Sequence, residues 1–206
     1  MKRCLACGAV LLLALSCSQE GLRTGDLLFQ AGESDFSGAI EAVTDGNWSH
    51  VGIVDRTGKG ILILEAEPSG GVVRRPLRAF LEEAAVLEDG SRAVQAFRVD
   101  SLTDVLRGKA VRRADSLLGR PYDFAFLPGT EAVYCSELVY ECFRREDGAP
   151  LFEARPMTFK DTRGETVPYW IDYYGKLGCD IPEGVPGTNP NDLSRDPHLI
   201  PLNWKP

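Results

Sequence analysis

Hydrophobic residues recur along the chain with two different spacings, and each spacing predicts one kind of element. Short apolar runs between turn residues predict strands, in TGDLLFQ, HVGIVD, GILILEAEP, GGVVRRPL and AVQAFRV. Apolar residues at helical spacing predict helices, in SDFSGAIEAVTDG, LRAFLEEAAV, SLTDVLRGKAVRRADSLLGRPYD and YCSELVYECFRRED. The turn RTGKG joins two of the strands into a β-hairpin. The predicted fold class is α+β, a small antiparallel sheet packed against helices.

The pattern changes from Pro156 onward, where proline, glycine and aromatic residues replace the regular spacing. This segment carries too many Tyr, Trp, Ile and Leu residues to be disordered. We therefore predict an irregular C-terminal segment, residues 156–206, that wraps the domain and roofs a cleft.

The N-terminus has the pattern of an export signal. A basic start precedes a short apolar run and small residues, which is typical of a secretory signal peptide. The sequence ALSC, ending at Cys17, resembles a bacterial lipobox, in which cleavage leaves the cysteine as a lipidated first residue. We predict a signal peptide over residues 1–16, a linker over 17–24 and a single domain over 25–206. The expected location is the bacterial envelope, with the lipid on Cys17 in the membrane; plain secretion is the alternative.

The charge of the chain excludes one class of partner. The net charge is −7, and loss of Lys2 and Arg3 with the signal peptide takes it to −9. Such a surface repels phosphate backbones, so no nucleic-acid partner is expected. The basic pairs Arg74–Arg75 and Arg112–Arg113 are interpreted as solvated faces. We expect a monomer.

Three cysteines remain outside the signal peptide and its cleavage site: Cys135, Cys142 and Cys179. One disulfide and one free thiol is the simplest interpretation in an oxidising compartment. Cys142 is expected to be buried, or bonded to Cys179. No Cys-x-x-Cys spacing is present, so no metal site is predicted.

The start of the helix YCSELVY is the candidate for chemistry. Cys135 lies there, where the helix dipole and free N–H groups favour a thiolate and stabilise an oxyanion. A nucleophilic cysteine also needs a base and a group that orients the base. Of the two histidines, His50 begins a strand whereas His198 lies in the tail, so His50 is the better-placed base. Glu65, on the next strand, can hold the distal ring nitrogen of His50. Spacing alone leaves an alternative open, in which Cys135, His50 and Glu65 are structural residues of an ordinary core.

Several neighbouring residues are candidates for substrate binding. Tyr134 and Tyr122 are predicted to line the site, or else to pack the cysteine helix as half-buried aromatics. Asp26 is predicted to bind a substrate amine, or else to satisfy backbone N–H groups in a turn. Trp48 is predicted to wall the cleft or to cover the hairpin. Glu137 is interpreted as a structural or capping contact.

The motifs TGDLLF, WSHVGIV, LEAEP, GRPYD and YCSELVY, in that order, resemble the YiiX-like branch of the permuted NlpC-type papain-like peptidases. Ordinary members of that superfamily place the cysteine helix before the histidine strand, whereas here the histidine comes first. The resemblance implies a permuted papain-like fold, with Cys135 as nucleophile, His50 as base and Glu65 as the polar third member. It implies no cofactor and no metal.

The resemblance also implies a substrate class, the amide bonds of cell-wall peptides. Related groups with the same permuted fold suggest lipid acyltransfer or ester and thioester hydrolysis as a second function. An apolar cleft roofed by the tail would favour that second function, and a small polar pocket with a carboxylate would favour the peptidase. A binding module with an inactive site is the third alternative.

Overall fold

The computed structural model describes residues 21–206, so the predicted signal peptide and Cys17 lie outside the described residues. Strands and helices follow one another in the order β1 (Leu27–Gln30), α1 (Asp35–Thr44), β2 (His50–Thr57), β3 (Gly60–Glu67), β4 (Gly71–Pro76), α2 (Leu77–Glu82), β5 (Val94–Val99), α3 (Asp104–Ser116), α4 (Cys135–Cys142), β6 (Arg155–Pro156), α5 (Pro168–Leu177), β7 (Pro186–Gly187), α6 (Pro190–Ser194) and β8 (Leu199–Pro201). Within this part of the chain, none of the helices has the length and hydropathy of a membrane span.

The strands form one six-stranded sheet in the order β4-β3-β2-β1-β5-β8, in which all neighbours are antiparallel. The first five strands are the predicted ones, and β2 and β3 form the predicted hairpin. A second, two-stranded sheet pairs β6 with β7. The α+β prediction is therefore confirmed.

Both faces of the sheet are buried. One face carries Val51 and Ile53 and packs against α3 and α4. Leu138 of α4 belongs to this buried cluster. The opposite face carries Val54 and packs against Phe80 of α2. Burying each such side chain stabilises the fold by about 1.5–3 kcal/mol. This packing holds α4 against β2 and β3, the strands that carry His50 and Glu65.

The C-terminal segment is more regular than predicted, since it forms two helices, the short strand β7 and the edge strand β8. Pro168 and Pro190 stand in the first turns of α5 and α6, where the missing proline N–H has no partner to lose. Trp170, 1% exposed, anchors α5 in the core and donates a hydrogen bond to the carbonyl of Ala39. The segment does wrap the domain, but the prediction that it is irregular is wrong for these elements.

Candidate active site

Cys135 is the first residue of α4 and is 4% exposed. The helix start is capped by Glu137, whose carboxyl group accepts the backbone N–H of Tyr134 at 3.4 Å. The predicted capping role of Glu137 is confirmed. Burial raises the pKa of Glu137 to about 8, so at neutral pH this group is mostly uncharged. It therefore adds little negative charge beside Cys135.

His50 begins β2, and Glu65 lies on the paired strand β3. Gly52 faces Glu65 on the neighbouring strand, since a Cβ at Gly52 would lie 3.6 Å from the Cβ of Glu65. A Cβ at Gly52 would lie 3.0 Å from the Phe80 ring, so glycine is needed where the two strands and α2 meet. The Nε2 atom of His50 lies 2.6 Å from Oε2 of Glu65, which is fully buried.

The side chain of Cys135 also lies near the His50 ring, close enough to influence its protonation. Because Nε2 is engaged by Glu65, Nδ1 is the ring nitrogen left for the thiol. Burial disfavours the charged ring, but the hydrogen bonds and charges of Cys135 and Glu65 outweigh it and raise the pKa of His50 to about 10. The arrangement therefore favours an imidazolium at neutral pH, held between two groups that can be anionic.

Arg75 extends this arrangement beyond Glu65. Its Nε donates to Oε1 of Glu65 at 2.7 Å, and its two terminal nitrogens donate to the carboxylate of Glu83 at 2.6 and 2.9 Å. Burial opposes ionisation of Glu65, but hydrogen bonds from His50 and Arg75 lower its pKa. The interpretation of Arg74–Arg75 as a solvated pair is thus wrong for Arg75, whose side chain is 22% exposed. Strand alternation sends Arg74 to the other face.

A cleft of about 220 Å³ opens beside Cys135. Its walls come from α1, the loop before α4 and the C-terminal segment. Most lining side chains are apolar or aromatic, and they include Ile40, Val43, Phe126, Met157, Phe159 and Trp170. The cleft is therefore mainly apolar, with the charged side chains of Arg155 and Asp192 also in its wall, and the C-terminal segment forms one of its walls.

Two of the predicted substrate-binding residues, Tyr122 and Tyr134, line this cleft. The hydroxyl of Tyr134 accepts the backbone N–H of Thr188 at 3.1 Å, which ties the residue before Cys135 to the C-terminal segment. Burial raises the pKa of Tyr134 to about 12 and also raises that of Tyr122. Both phenols are neutral at physiological pH and remain hydrogen-bond donors.

Asp26 is not among the residues that line the cleft, which corrects its assignment as a substrate-amine ligand. It is fully buried, and both carboxylate oxygens accept hydrogen bonds from Arg98, at 2.9 and 2.8 Å. One oxygen also accepts the backbone N–H of Arg23. A substrate amine would therefore find no free oxygen there.

Trp48 likewise does not line the cleft. It is partly buried against the core, two residues before His50. Asn191 of α6 holds its backbone: the Trp48 N–H donates to Oδ1 at 3.0 Å, and Nδ2 donates to the Trp48 carbonyl at 2.8 Å. The same Nδ2 donates to Oγ1 of Thr44. The C-terminal segment thus braces the loop that leads into His50.

The three cysteines of the described chain are all free thiols. Cys142 is fully buried and Cys179 is exposed. The expected disulfide is therefore wrong, and the alternative prediction, a buried Cys142, is confirmed. The other histidine, His198, pairs with Asp196 at 2.7 Å and does not line the cleft. The structure thus brings Cys135, His50 and Glu65 together with Tyr122 and Tyr134.

The fold and this arrangement match a known family of papain-like cysteine hydrolases. The model of the permuted papain-like amidase family, YaeF/YiiX, C92, matches residues 21–202. The chain belongs to this family and is a papain-like cysteine hydrolase.

Two relatives place the chain within the family. It is 30% identical over 156 residues to the uncharacterised protein YiiX of Escherichia coli strain K12, covering 75% of this chain and 74% of that protein. The crystal structure of YiiX from Escherichia coli O157:H7, described as a metalloprotein, is similar with a TM-score of 0.72 and 26% identity. That alignment covers 89% of this chain and 97% of the other.

Sequence reasoning missed Arg75 and most of the cleft wall. A signal for Arg75 was present, because Arg75 is two residues beyond the strand partner of Glu65, Val73, and so lies on the same sheet face. The cleft residues of α1 and the C-terminal segment have no local signal, since only the tertiary fold brings them beside Cys135.

Proposed function

We propose that the chain hydrolyses amide bonds with Cys135 as nucleophile, His50 as base and acid, and Glu65 as the group that orients His50. One observation carries the proposal: Glu65 holds His50 at 2.6 Å, Cys135 lies close enough to His50 to raise its pKa, and Cys135 also lines the cleft. A substrate bound in the cleft would therefore meet a cysteine already paired with a charged histidine.

In the proposed reaction, the Cys135 thiolate attacks the amide carbonyl, and N–H groups at the start of α4 stabilise the oxyanion. The imidazolium of His50 gives its proton to the leaving nitrogen as the C–N bond breaks, leaving a thioester and a free amine. Neutral His50 then removes a proton from water, which attacks the thioester. The acid is released, and thiolate and imidazolium are restored.

The proposed substrates are amide bonds of cell-wall peptides. The family supports an amide, and the predicted export signal with its anchor at Cys17 supports a place in the bacterial envelope. The short distance between an anchored enzyme and the cell wall would raise the effective substrate concentration.

A second candidate is hydrolysis or transfer of a lipid acyl group. The apolar lining of the cleft favours it, because side chains such as Val43, Phe126 and Met157 offer a hydrocarbon chain contact that a charged stem peptide cannot use. The chemistry at Cys135 would be the same, with an acyl chain in the cleft.

The description of the related YiiX crystal structure as a metalloprotein raises the question of a metal in this chain. Among residues 21–206, no group of three or more His, Cys, Asp or Glu side chains is arranged to hold a metal ion. At the proposed site, Cys135 and Glu65 already engage the imidazole of His50. These residues do not fit a metal centre, and no step is proposed through one.

The proposal is tested by hydrolysis assays of the wild-type protein, Cys135→Ala and the matched control Cys142→Ala from the same helix. The substrates are peptidoglycan fragments and N-acyl amides of short and long chain. We expect hydrolysis by wild type and Cys142→Ala, none by Cys135→Ala, and a thioester on the Cys135 peptide in mass spectra. Hydrolysis that survives in Cys135→Ala would sink the proposal. Preference for long acyl chains over peptidoglycan fragments would select the second candidate.

A further inference from the structure

The charge chain that starts at His50 does not end at Glu65. Glu65 is fully buried, and its two oxygens have separate partners: Oε2 faces His50 at 2.6 Å and Oε1 accepts from Arg75 at 2.7 Å. Glu83, at the end of α2, fixes the other end of the Arg75 guanidinium through two hydrogen bonds. Four side chains of alternating charge therefore run from the proposed base to the protein surface.

We infer that Arg75 is a positioning residue for amide cleavage, an inference that rests on the proposed function of the Cys135–His50–Glu65 site. A carboxylate in a fully buried position needs a compensating charge to stay ionised. Arg75 supplies that charge and holds one oxygen, so the other oxygen stays directed at His50. The bidentate contact with Glu83 in turn fixes the plane of the guanidinium.

The geometry assigns distinct tasks to the two oxygens of Glu65. A carboxylate held at one oxygen alone can rotate about its last bond, and the imidazole would follow it. With both oxygens engaged, the plane of the carboxylate is fixed, and so is the direction in which His50 presents its other nitrogen to Cys135. Arg75 thus acts on the reaction through Glu65 and His50 and touches neither Cys135 nor the substrate cleft.

The adjacent residue provides a matched control. Arg74 lies on the same strand but contacts Asp55 at 3.3 Å and Asp115 at 2.7 Å. It is an arginine of similar exposure, 33% for the side chain, in an ion-pair network that does not include Glu65. Loss of Arg74 removes a charge and two ion pairs from β4 and leaves the His50–Glu65 contact in place.

The test is the rate of Cys135 alkylation by iodoacetamide against pH, read by mass spectrometry of the Cys135 peptide, in wild type, Arg75→Met, Arg75→Lys, Arg74→Met and His50→Ala. In Arg75→Met the buried Glu65 loses a donor and protonates at higher pH, which weakens its hold on the imidazolium. We expect the acid limb of the profile to move up by about one pH unit, which lowers the rate about tenfold at pH values below the wild-type limb. Arg74→Met is expected to match wild type.

Arg75→Lys separates charge from geometry, because an ammonium keeps the charge but cannot bind Glu65 and Glu83 as a planar fork. In the pH profile of Arg75→Lys, the acid limb is expected to coincide with that of wild type, whereas the plateau rate of alkylation falls. If the thermal melt shows that Arg75→Met does not fold, the alkylation profile of Arg75→Lys is the test of the inference. An Arg75→Lys profile with the same acid limb and the same plateau rate as wild type would overturn the inference.

The outcomes distinguish this inference from the function on which it rests. If wild type and His50→Ala gave the same alkylation profile, the proposed site itself would be wrong. A profile that depends on His50 but is superimposable in Arg75→Met and Arg74→Met would leave the proposed function intact and overturn the role of Arg75. In Arg75→Met, an equal loss of rate at every pH together with a lower melting temperature would make Arg75 merely structural.

Discussion

Cys135 belongs to two regions of opposite character. On the side of the sheet, it contacts a buried chain of charged groups, His50, Glu65 and Arg75. On the side of the C-terminal segment, it opens into a cleft lined mainly by apolar and aromatic residues. The first region can set the protonation state of the thiol and its base. The second can decide which acyl or peptide group lies beside them.

The two regions also differ in how the chain builds them. The charged groups come from three consecutive antiparallel strands, so the register of neighbouring strands places them together. The cleft wall combines α1 with residues more than a hundred positions later, such as Met157 and Pro190. Changes in the first region should therefore alter pH dependence and turnover, and changes in the second should alter substrate affinity.

The largest effect is expected for Glu65→Gln, which removes the negative charge beside His50. The charge of Glu65 raises the pKa of His50, so its loss lowers that pKa, and activity is lost at a lower pH on the alkaline side. We expect kcat/KM to fall about 100-fold, within the range of general acid–base catalysis. The measurement is a pH profile of hydrolysis with Glu67→Gln as control. An unchanged alkaline limb would contradict a role for Glu65 in holding the imidazolium.

A smaller effect is expected for Val43→Asn, which places an amide in the cleft wall. An apolar substrate group would lose contact area there, and KM should rise about tenfold, equivalent to about 1.4 kcal/mol. The pH profile should keep its shape because the charged chain is untouched. Ala42→Asn, exposed on the same helix, is the matched control. If both variants change KM equally, the cleft is not where the substrate binds.

The smallest effect on the reaction is expected for Asn191→Ala, which removes the brace of the loop before His50. The Trp48 backbone N–H and carbonyl lose their partner, which costs about 1–3 kcal/mol of folding free energy. Thermal unfolding should show a lower Tm, with kcat reduced only severalfold and an unchanged pH profile. Asn47→Ala, exposed in the same loop, should leave Tm unchanged. A Tm equal to that of wild type would show that Asn191 does not brace this loop.

Local patterns predicted the first five strands of the six-stranded sheet because these strands follow alternation and turn rules that need no distant contact, whereas the sixth, β8, was not predicted. They predicted α4 too long: the helix ends at Cys142, and Phe143 is extended and fully buried. A turn then follows, in which Gly148 takes a φ of 86° and Arg144 pairs with Pro150. Burial of one aromatic side chain thus overrode the helical spacing of the residues around it.

The same distinction separates the site residues. His50 and Glu65 lie on one predicted hairpin, so their proximity followed from the register of two strands. Asp26 resembled an available carboxylate because its partner Arg98 is 72 residues away and no local pattern links them. The proline content after residue 156 predicts irregular chain, whereas Pro168 and Pro190 begin helices that distant contacts stabilise.

The proposed reaction depends above all on the pairing of Cys135 with His50. Its most direct test is the rate of Cys135 alkylation against pH in wild type and His50→Ala, with His198→Ala as control. We expect rapid alkylation below pH 7 in wild type and His198→Ala, and slow alkylation in His50→Ala until the pH approaches the usual cysteine pKa of about 8.5. The same profile in wild type and His50→Ala would contradict it, and Cys135 would then be a buried thiol at the start of an ordinary core helix.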